Sequence, residues 1–311
     1  MILVAGSRGF IGQHVVAHLQ STGRPFRELD GDVRDAANVT AAAQGCSAII
    51  HLAFKNLNVD GKGFDTNIVG TQNAVNAARQ VGARLVSMST AGVYGHGSHS
   101  AADEDTAIAP DTDLSRSRAE ADQVIIDAHS AGLPAVILRQ RFVYGPGDQA
   151  VLPRIHRVAS RSPIWVDGGR ARLSLVFVDD LAMVLVRATT EPLSELGPVF
   201  HVTDGQPVLL RELGERLCDL LGGVPPRFSV PMPIIHGPVR LWERIRGVDP
   251  ETSDSAVSSI RLKLAAQDQV FVNDRLCQWM PDLRFTPLTD GLAASQPWYA
   301  SLLTAGPPES R

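Results

Sequence analysis

The chain opens on an apolar run, residues 1–5, that breaks into glycine-rich sequence before residues 11–19 place apolar side chains at helical spacing. A strand, a tight turn and a helix are the elements this pattern predicts. Two further apolar runs, 48–53 and 85–88, are too short for buried helices and are bounded by polar or glycine positions, so they read as buried strands. Helical periodicity fills 65–79 between them and returns at 114–131, and 136–138 makes another strand. Strands that alternate with helices imply right-handed crossovers, so the predicted class is α/β, a Rossmann-type doubly wound parallel sheet.

From about residue 145 the texture changes to segments punctuated by Pro and Gly: "YGPGD", "VDGG", "GGVPPRFSVPMP". This predicts a smaller C-terminal substrate lobe. The division expected is 1–145 for the first domain, with 175–203, which contains "FVDDLA", returning to it. Residues 146–174 and 204–305 form the lobe, and 306–311 a frayed tail.

With 29 Lys and Arg against 33 Asp and Glu, net charge −4, and no basic block, the chain has no electrostatic footprint for nucleic acid. A small-molecule partner is the expectation. Cys46, Cys218 and Cys277 are widely spaced, which suits neither a disulfide framework nor a metal site and points to buried thiols in a reducing, cytoplasmic setting. No charged leader precedes the first apolar run, and no apolar stretch approaches the about 18 residues of a membrane helix, so no membrane partner is expected.

The glycine-rich stretch reads "GSRGFIG" and places Gly6, Gly9 and Gly12, with Phe10 and Ile11 as further cofactor-binding candidates, between the first strand and the first helix. Glycine at these points permits a tight turn, close approach of backbone N–H groups to a pyrophosphate, and close packing of helix on strand. A carboxylate is then expected at the end of the second strand to hold the adenosine ribose. Asp30 lies 18 residues past Gly12, with Asp32 just beyond. Asp30 favours NAD, because a carboxylate repels a 2′-phosphate. Arg8 favours NADP, because a guanidinium pairs with one. Both nucleotides stay open.

With these residues in view the chain resembles the extended short-chain dehydrogenase/reductase family, of the NAD-dependent epimerase/dehydratase kind, and the resemblance runs along nearly all of it. "GSRGFIG" matches the family's glycine loop, "GDVRD" is similar to its adenine-contacting segment with Asp32 and Val33, and "HLA", with Leu52 and Ala53, to its cofactor-lining strand. "TNIVGTQN" resembles the helix bearing an Asn, here Asn67. "SMSTAGVYG" resembles the catalytic Ser/Thr strand, which implies Thr90 as the hydrogen-bond partner of the substrate oxygen, with Ser89 beside it. "RFVYGPGD", "FVDDLA" and "FTPLTDGLAASQPWY" match later family segments.

Two departures stand out. Only seven residues, 24–30, separate Gly23 from "GDVRD", so one strand does the work of two and the adenine pocket is expected to be more open. More seriously, the family's proton-transferring tyrosine and the lysine four residues later are replaced by Leu114 and Arg118. Tyr94 and Tyr144 fall in other family segments. Leucine transfers no proton, whereas Arg118, one helical turn on and on the same face, retains the reach of a fixed cation toward a ribose or nicotinamide.

A positioned general acid is worth roughly 10² to 10⁴ in rate. The first expectation is therefore an enzyme that draws its acid or base from Asp113, Lys55, His96 or His99, or from the substrate itself. Its chemistry is either oxidoreduction or a nonredox isomerisation or cyclisation. Ala91 and Gly92 stand where family dehydratases carry an acid/base pair, which argues against sugar-nucleotide dehydration. The alternative is a catalytically silent NAD(P)-binding sensor or accessory protein. The apolar run "PMPIIHGPVRLWERIRGVDP" resembles relatives that act on bulky hydrophobic molecules, with Leu114, Phe142, Trp165 and Trp242 as candidate pocket walls. The resemblance also implies a homodimer formed through the helix that carries Leu114.

Overall fold

The computed structural model describes residues 1–55, 64–247 and 258–305. The first part of the chain runs β1 (Ile2–Ala5), α1 (Phe10–Ser21), β2 (Phe26–Glu28), α2 (Ala36–Ala43), β3 (Ala48–His51), α3 (Asp65–Val81), β4 (Arg84–Thr90), β5 (His99–Ala102), α4 (Asp113–Ser130), β6 (Ala135–Gln140) and β7 (Phe142–Tyr144). Then follow α5 (Leu152–Arg161), β8 (Ile164–Val166), β9 (Arg172–Leu173), β10 (Leu175–Phe177), α6 (Val178–Arg187) and β11 (Val199–His201). The remainder is β12 (Val208–Leu209), α7 (Leu210–Leu221), β13 (Phe228–Val230), α8 (Met232–Arg246), α9 (Ser259–Ala266), β14 (Gln269–Phe271), α10 (Asp274–Trp279) and α11 (Leu288–Ala305).

Six parallel strands in the order β2-β1-β3-β4-β6-β11 form the main sheet. Its central strands read as unbroken apolar runs because both faces are covered by helices. On one face Ile2, Val4, Ile50 and Val86 meet Val15 and Leu19 of α1 and Leu181, Val184 and Leu185 of α6. On the other, Leu3, Ala5, Ile49 and Leu85 meet Val39 of α2, Ala74 and Ala78 of α3, and Ile125 of α4. The alternation of neighbours along β1 is the two-residue period of a strand.

The sheet ends at β2, and residues 30–35 lead straight into α2. The short connection noted in the sequence therefore leaves β2 as the edge, with no further strand paired outside it among the described residues.

The smaller lobe is built from a four-stranded sheet, β12-β9-β14-β5, two strand pairs, and helices α5, α7 and α11 around Tyr144, Leu213, Leu217 and Tyr299. Strand β11 pairs with β6 in the main sheet, and α6 packs on α1. One boundary drawn from sequence texture needs correcting: the segment around α10, expected in the lobe, packs on the main sheet instead. Leu276, Met280 and Leu283 join the core of the first domain, and the Trp279 ring stacks on Phe200 at 4.4 Å. The expected tail, 306–311, lies outside the described residues.

Cys46 and Cys218 are buried, whereas Cys277 is exposed, contrary to expectation. Among the described residues no helix is long and apolar enough to cross a membrane.

Candidate cofactor and active site

The turn between β1 and α1 is closed to a spacing that only glycine allows. Gly6 adopts φ +92°, and a Cβ there would lie 2.7 Å from the backbone of Leu52 and Ala53. A Cβ on Gly12 would lie 2.1 Å from the carbonyl oxygen of Gly6. Gly9 differs: its φ is −75°, and its Cβ would meet only that same oxygen, at 3.4 Å. As N-cap of α1 it brings no side chain to the first turn, which also lacks an acidic residue. The helix thus presents its positive end uncapped. These residues fit a dinucleotide diphosphate.

Around this cradle the sequence candidates fall into pairs. Arg8 donates to Asp30 at 2.9 Å, with the two side chains 84% and 89% exposed, so the residues that argued for different nucleotides hold each other. Asp32 accepts from the backbone and side chain of Arg34, which hold its pKa below the usual carboxylate range. Val33 is buried against Gly70, where a Cβ would approach it to 2.6 Å. Leu52 and Ala53 close the far side. A residue not anticipated, His14, joins α1 to the "YGPGD" loop and α6, with Nδ1 2.5 Å from Asp179 and Nε2 2.7 Å from the Pro146 carbonyl. Burial lowers its pKa, the Asp179 and Pro146 hydrogen bonds raise it, and the balance is upward.

The far end of β3 is tied to α4 through Asn67. Its amide oxygen accepts the Lys55 N–H at 2.7 Å, and its amide nitrogen donates to the Lys55 carbonyl at 3.1 Å and to the Ser117 hydroxyl at 3.0 Å. Helix α4 begins in a capping box between Thr112 and Ser115. Leu114, Arg118 and Asp122 then follow at four-residue spacing on one face. Arg118 is buried with its guanidinium 3.8 Å over the Phe54 ring. Burial pulls its pKa down to about 9 against the opposing field of Asp122. Asp113 stands apart from this face: its side chain is 74% exposed and ion-paired with Arg116. As an acid for a buried site it is displaced by this placement.

A chain of buried hydrogen bonds, not foreseen from the sequence, runs behind the helix. Asp122 accepts from Arg139 Nε at 2.8 Å, and Arg139 Nη1 donates to Tyr94 Oη at 2.8 Å. Tyr94 Oη lies 2.8 Å from His201 Nε2, and His201 Nδ1 lies 3.1 Å from the Val272 carbonyl. Satisfying every partner assigns the proton of His201 to Nδ1 and leaves Nε2 to accept from the phenol.

The chain's three tyrosines are all buried. Tyr94 belongs to this network, Tyr144 is buried against Gly291, and Tyr299 bonds Gly145 and Asp148. Burial raises the pKa of each, so none is prepared to exchange a proton at neutral pH.

Ser89 is buried, and Thr90, half-buried, accepts the Gly92 N–H at 3.1 Å through its hydroxyl oxygen. A Cβ on Gly92 would lie 3.3 Å from that oxygen and 3.0 Å from Arg141 Nη1, which sets the threonine and the guanidinium side by side. Arg141 Nε donates to Gln269 at 3.1 Å, its Nη2 is buried without a partner among the described residues, and burial lowers its pKa to about 10. Next to it His96 Nδ1 lies 2.6 Å from Asp111, whose other oxygen accepts the His96 N–H at 3.1 Å. Burial, then Arg141, lowers the His96 pKa, while Asp111 opposes both. His99, expected on the same loop, instead opens β5 and pairs with β14. Asp111 and Arg141 were missed. The available signal was a pair of arginines, 139 and 141, at the end of an otherwise apolar strand.

Phe142, directly after Arg141, and Trp165 line a cavity of about 500 Å³ in the lobe. Leu114 and Trp242 do not line it, and Trp242 is 43% exposed on α8.

The buried histidines set the response to acid. Burial lowers the pKa of His51 to about 3 and that of His201 to about 4, both from 6.5. Below pH 6.5 the unfolded chain therefore binds protons that the folded chain refuses, and stability falls at up to about 1.4 kcal/mol per pH unit for each histidine. His14, with its raised pKa, works the other way and stabilises most below its own titration. Urea midpoints measured between pH 7.5 and 5 are expected to decline below about 6.5. A flat profile would mean that these imidazoles are already protonated in the fold.

Comparison with known proteins agrees with this geometry. The description "NAD dependent epimerase/dehydratase family" matches residues 2–202. The chain is 29% identical to a 2-alkyl-3-oxoalkanoate reductase of Stenotrophomonas maltophilia, over 81% of this chain and 86% of the relative. It is 27% identical to a dTDP-glucose 4,6-dehydratase of Streptomyces griseus, over 96% and 93%. The fold is shared with the Bordetella bronchiseptica enzyme WbmH, solved in complex with NAD+, at a TM-score of 0.74 and 22% identity over 96% of this chain and 98% of that one. With a glycine cradle at the head of a parallel sheet and the Ser/Thr strand beside it, the chain belongs to the NAD dependent epimerase/dehydratase family, an extended short-chain dehydrogenase/reductase.

Proposed function

We propose that the protein is an NAD-dependent oxidoreductase that interconverts a hydrophobic carbonyl compound and its alcohol without a tyrosine acid. The observation that carries this reading is the steric closure at Gly6 and Gly12, where any Cβ would strike the chain's own backbone, so that only glycine permits the tight turn leading into the uncapped amino end of α1. NAD is preferred to NADP because Asp30, the carboxylate expected to meet the ribose, also holds Arg8, the guanidinium that would otherwise pair with a 2′-phosphate. The alkyl substrate named for the Stenotrophomonas reductase supports the hydrophobic assignment.

When bound, nicotinamide supplies or accepts a hydride at a substrate carbon. The protein handles the oxygen. Thr90 donates its hydroxyl proton in a hydrogen bond, and Arg141 offers its unpartnered Nη2 to the developing negative charge, which in a water-poor site is worth several kcal/mol. His96, oriented by Asp111, gives the oxygen its proton in reduction and removes it in oxidation. Arg118 and Lys55 line the nicotinamide side as positioning cations. Ser89 supports the strand, and Leu114 keeps the vacated phenol position dry.

The test is the pH dependence of NAD+ reduction with a panel of hydrophobic secondary alcohols. Because the His96 pKa is lowered, oxidation is expected to hold its rate at neutral pH and fall only below about 6.5, the ordinary imidazole value. His96→Gln is expected to lose about 10²-fold in kcat and to abolish that acid limb. An unchanged limb in the variant would remove His96 from the mechanism. A silent NAD-binding protein is the second reading, favoured by the burial of all three phenols, and it predicts NADH binding with no turnover on any member of the panel.

A further inference from the structure

The cavity in the smaller lobe has a composition that folding alone does not call for. Its volume of about 500 Å³ lies within the range of small-molecule pockets, and its walls include Ile155, Trp165, Leu173, Leu210 and Leu262. Arg154, Arg157, Arg161 and Arg261 also line it, and among the described residues no aspartate or glutamate does. The first three recur at helical spacing along α5, so they stack on one face, where like charges repel. Arg154 stands in the first turn, where the helix dipole disfavours a cation. Among the described residues none of the three forms an ion pair. Trp165 is buried, and its indole N–H has no acceptor among the described residues.

We infer that this cavity takes the hydrocarbon chain of an anionic amphiphile whose headgroup rests on Arg154, Arg157 and Arg161. The inference rests on the oxidoreductase reading and deepens it. Phe142 lies at the cavity wall, and the Arg141 guanidinium stands 5.1 Å over its ring. The substrate class is thus a carbonyl or hydroxyl compound that presents its oxygen to Thr90 and Arg141, runs its hydrocarbon past Phe142 and Trp165, and ends in a carboxylate or similar anion at α5. An apolar wall gains from burying the chain, and Arg154, Arg157 and Arg161 gain from the charge.

The experiment titrates the whole protein with dodecanoate, dodecanol and dodecyltrimethylammonium below their aggregation concentrations. Binding is read by tryptophan fluorescence, with Trp165→Phe as the control for its origin, and NADH is titrated in parallel by calorimetry. Dodecanoate is expected to bind about tenfold or more tighter than dodecanol and to weaken with added salt, with the cation weakest. The triple variant Arg154→Gln, Arg157→Gln, Arg161→Gln is expected to bring dodecanoate down to the level of dodecanol and to leave NADH affinity unchanged. Equal binding of the three amphiphiles, or no binding of any while NADH still binds, overturns the inference and leaves the oxidoreductase reading standing. Failure of NADH to bind strikes that reading instead, whatever the amphiphiles do.

Discussion

Gly9→Asp is expected to lower NADH affinity at least about a hundredfold while leaving thermal stability unchanged or slightly raised. The two effects separate because Gly9 caps a helix without packing against it. Its φ of −75° suits any residue, and a Cβ there would meet only the Gly6 carbonyl, at 3.4 Å. Aspartate is a better N-cap than glycine by a few tenths of a kcal/mol, and its charge complements the helix dipole. The same carboxylate would face the diphosphate, where juxtaposed like charges cost several kcal/mol; about 3 kcal/mol corresponds to the hundredfold loss. Gly12→Ala is the contrast. Its Cβ would overlap the Gly6 carbonyl, so it is expected to lower stability along with affinity. Calorimetric titration with NADH and thermal melts of both variants check the pair. A Gly9→Asp protein that still binds NADH normally would place the diphosphate elsewhere.

The second large effect concerns the ion pair behind α4. Asp122→Ala is expected to destabilise the fold by about 3–5 kcal/mol, the usual result of removing one partner from a buried pair. Both side chains are almost fully buried, and Arg139 would be left with a charge that no solvent reaches. Burial raises the Asp122 pKa, and Arg139, with smaller contributions from Ser89 and Arg118, opposes the rise. The loss would spread along the Tyr94 and His201 hydrogen bonds toward Val272 and toward Arg118, whose charge Asp122 supports. The exposed pair of Arg211 and Glu215 provides the comparison: Glu215→Ala is expected to cost under about 1 kcal/mol. Urea unfolding of the two variants measures the difference, and similar midpoints would mean that water or another cation compensates at Asp122.

The parts of this molecule legible in the sequence are those where the chain recognises itself at short range. The strand, glycine turn and helix at the amino end are contiguous, and one of their closest contacts, Gly12 against the Gly6 carbonyl, falls within seven residues. The parallel sheet is legible for a related reason: its core strands are apolar on both faces, and each is followed by a helical period. The lobe is less so, because strands of two or three residues, such as β9 and β12, carry no period that a pattern can show. Segment 274–285 crosses back to the first domain through Leu276, Met280 and Leu283, contacts that no local signal encodes.

The chemistry divides in the same way. Leu114 is read in the place of a phenol because two positions on one helix face are compared with a motif. The groups proposed to act with Thr90 are brought together by the fold. Asp111 reaches His96 across fifteen residues, and Arg141 comes from the end of β6 to lie beside Gly92. Asp113, adjacent in sequence to Leu114, is the converse case: one residue along a helix rotates a side chain by about 100°, enough to turn it from the interior to solvent.

The most direct test of the central claim is a crystal structure of the protein with NADH. The account predicts the diphosphate against the amino end of α1 over Gly9, the adenosine ribose at Asp30, and nicotinamide C4 facing Thr90 and Arg141 with no tyrosine oxygen within hydrogen-bonding reach. A diphosphate bound elsewhere, or Tyr94 swung out of its bond with His201 to meet the nicotinamide, would contradict it.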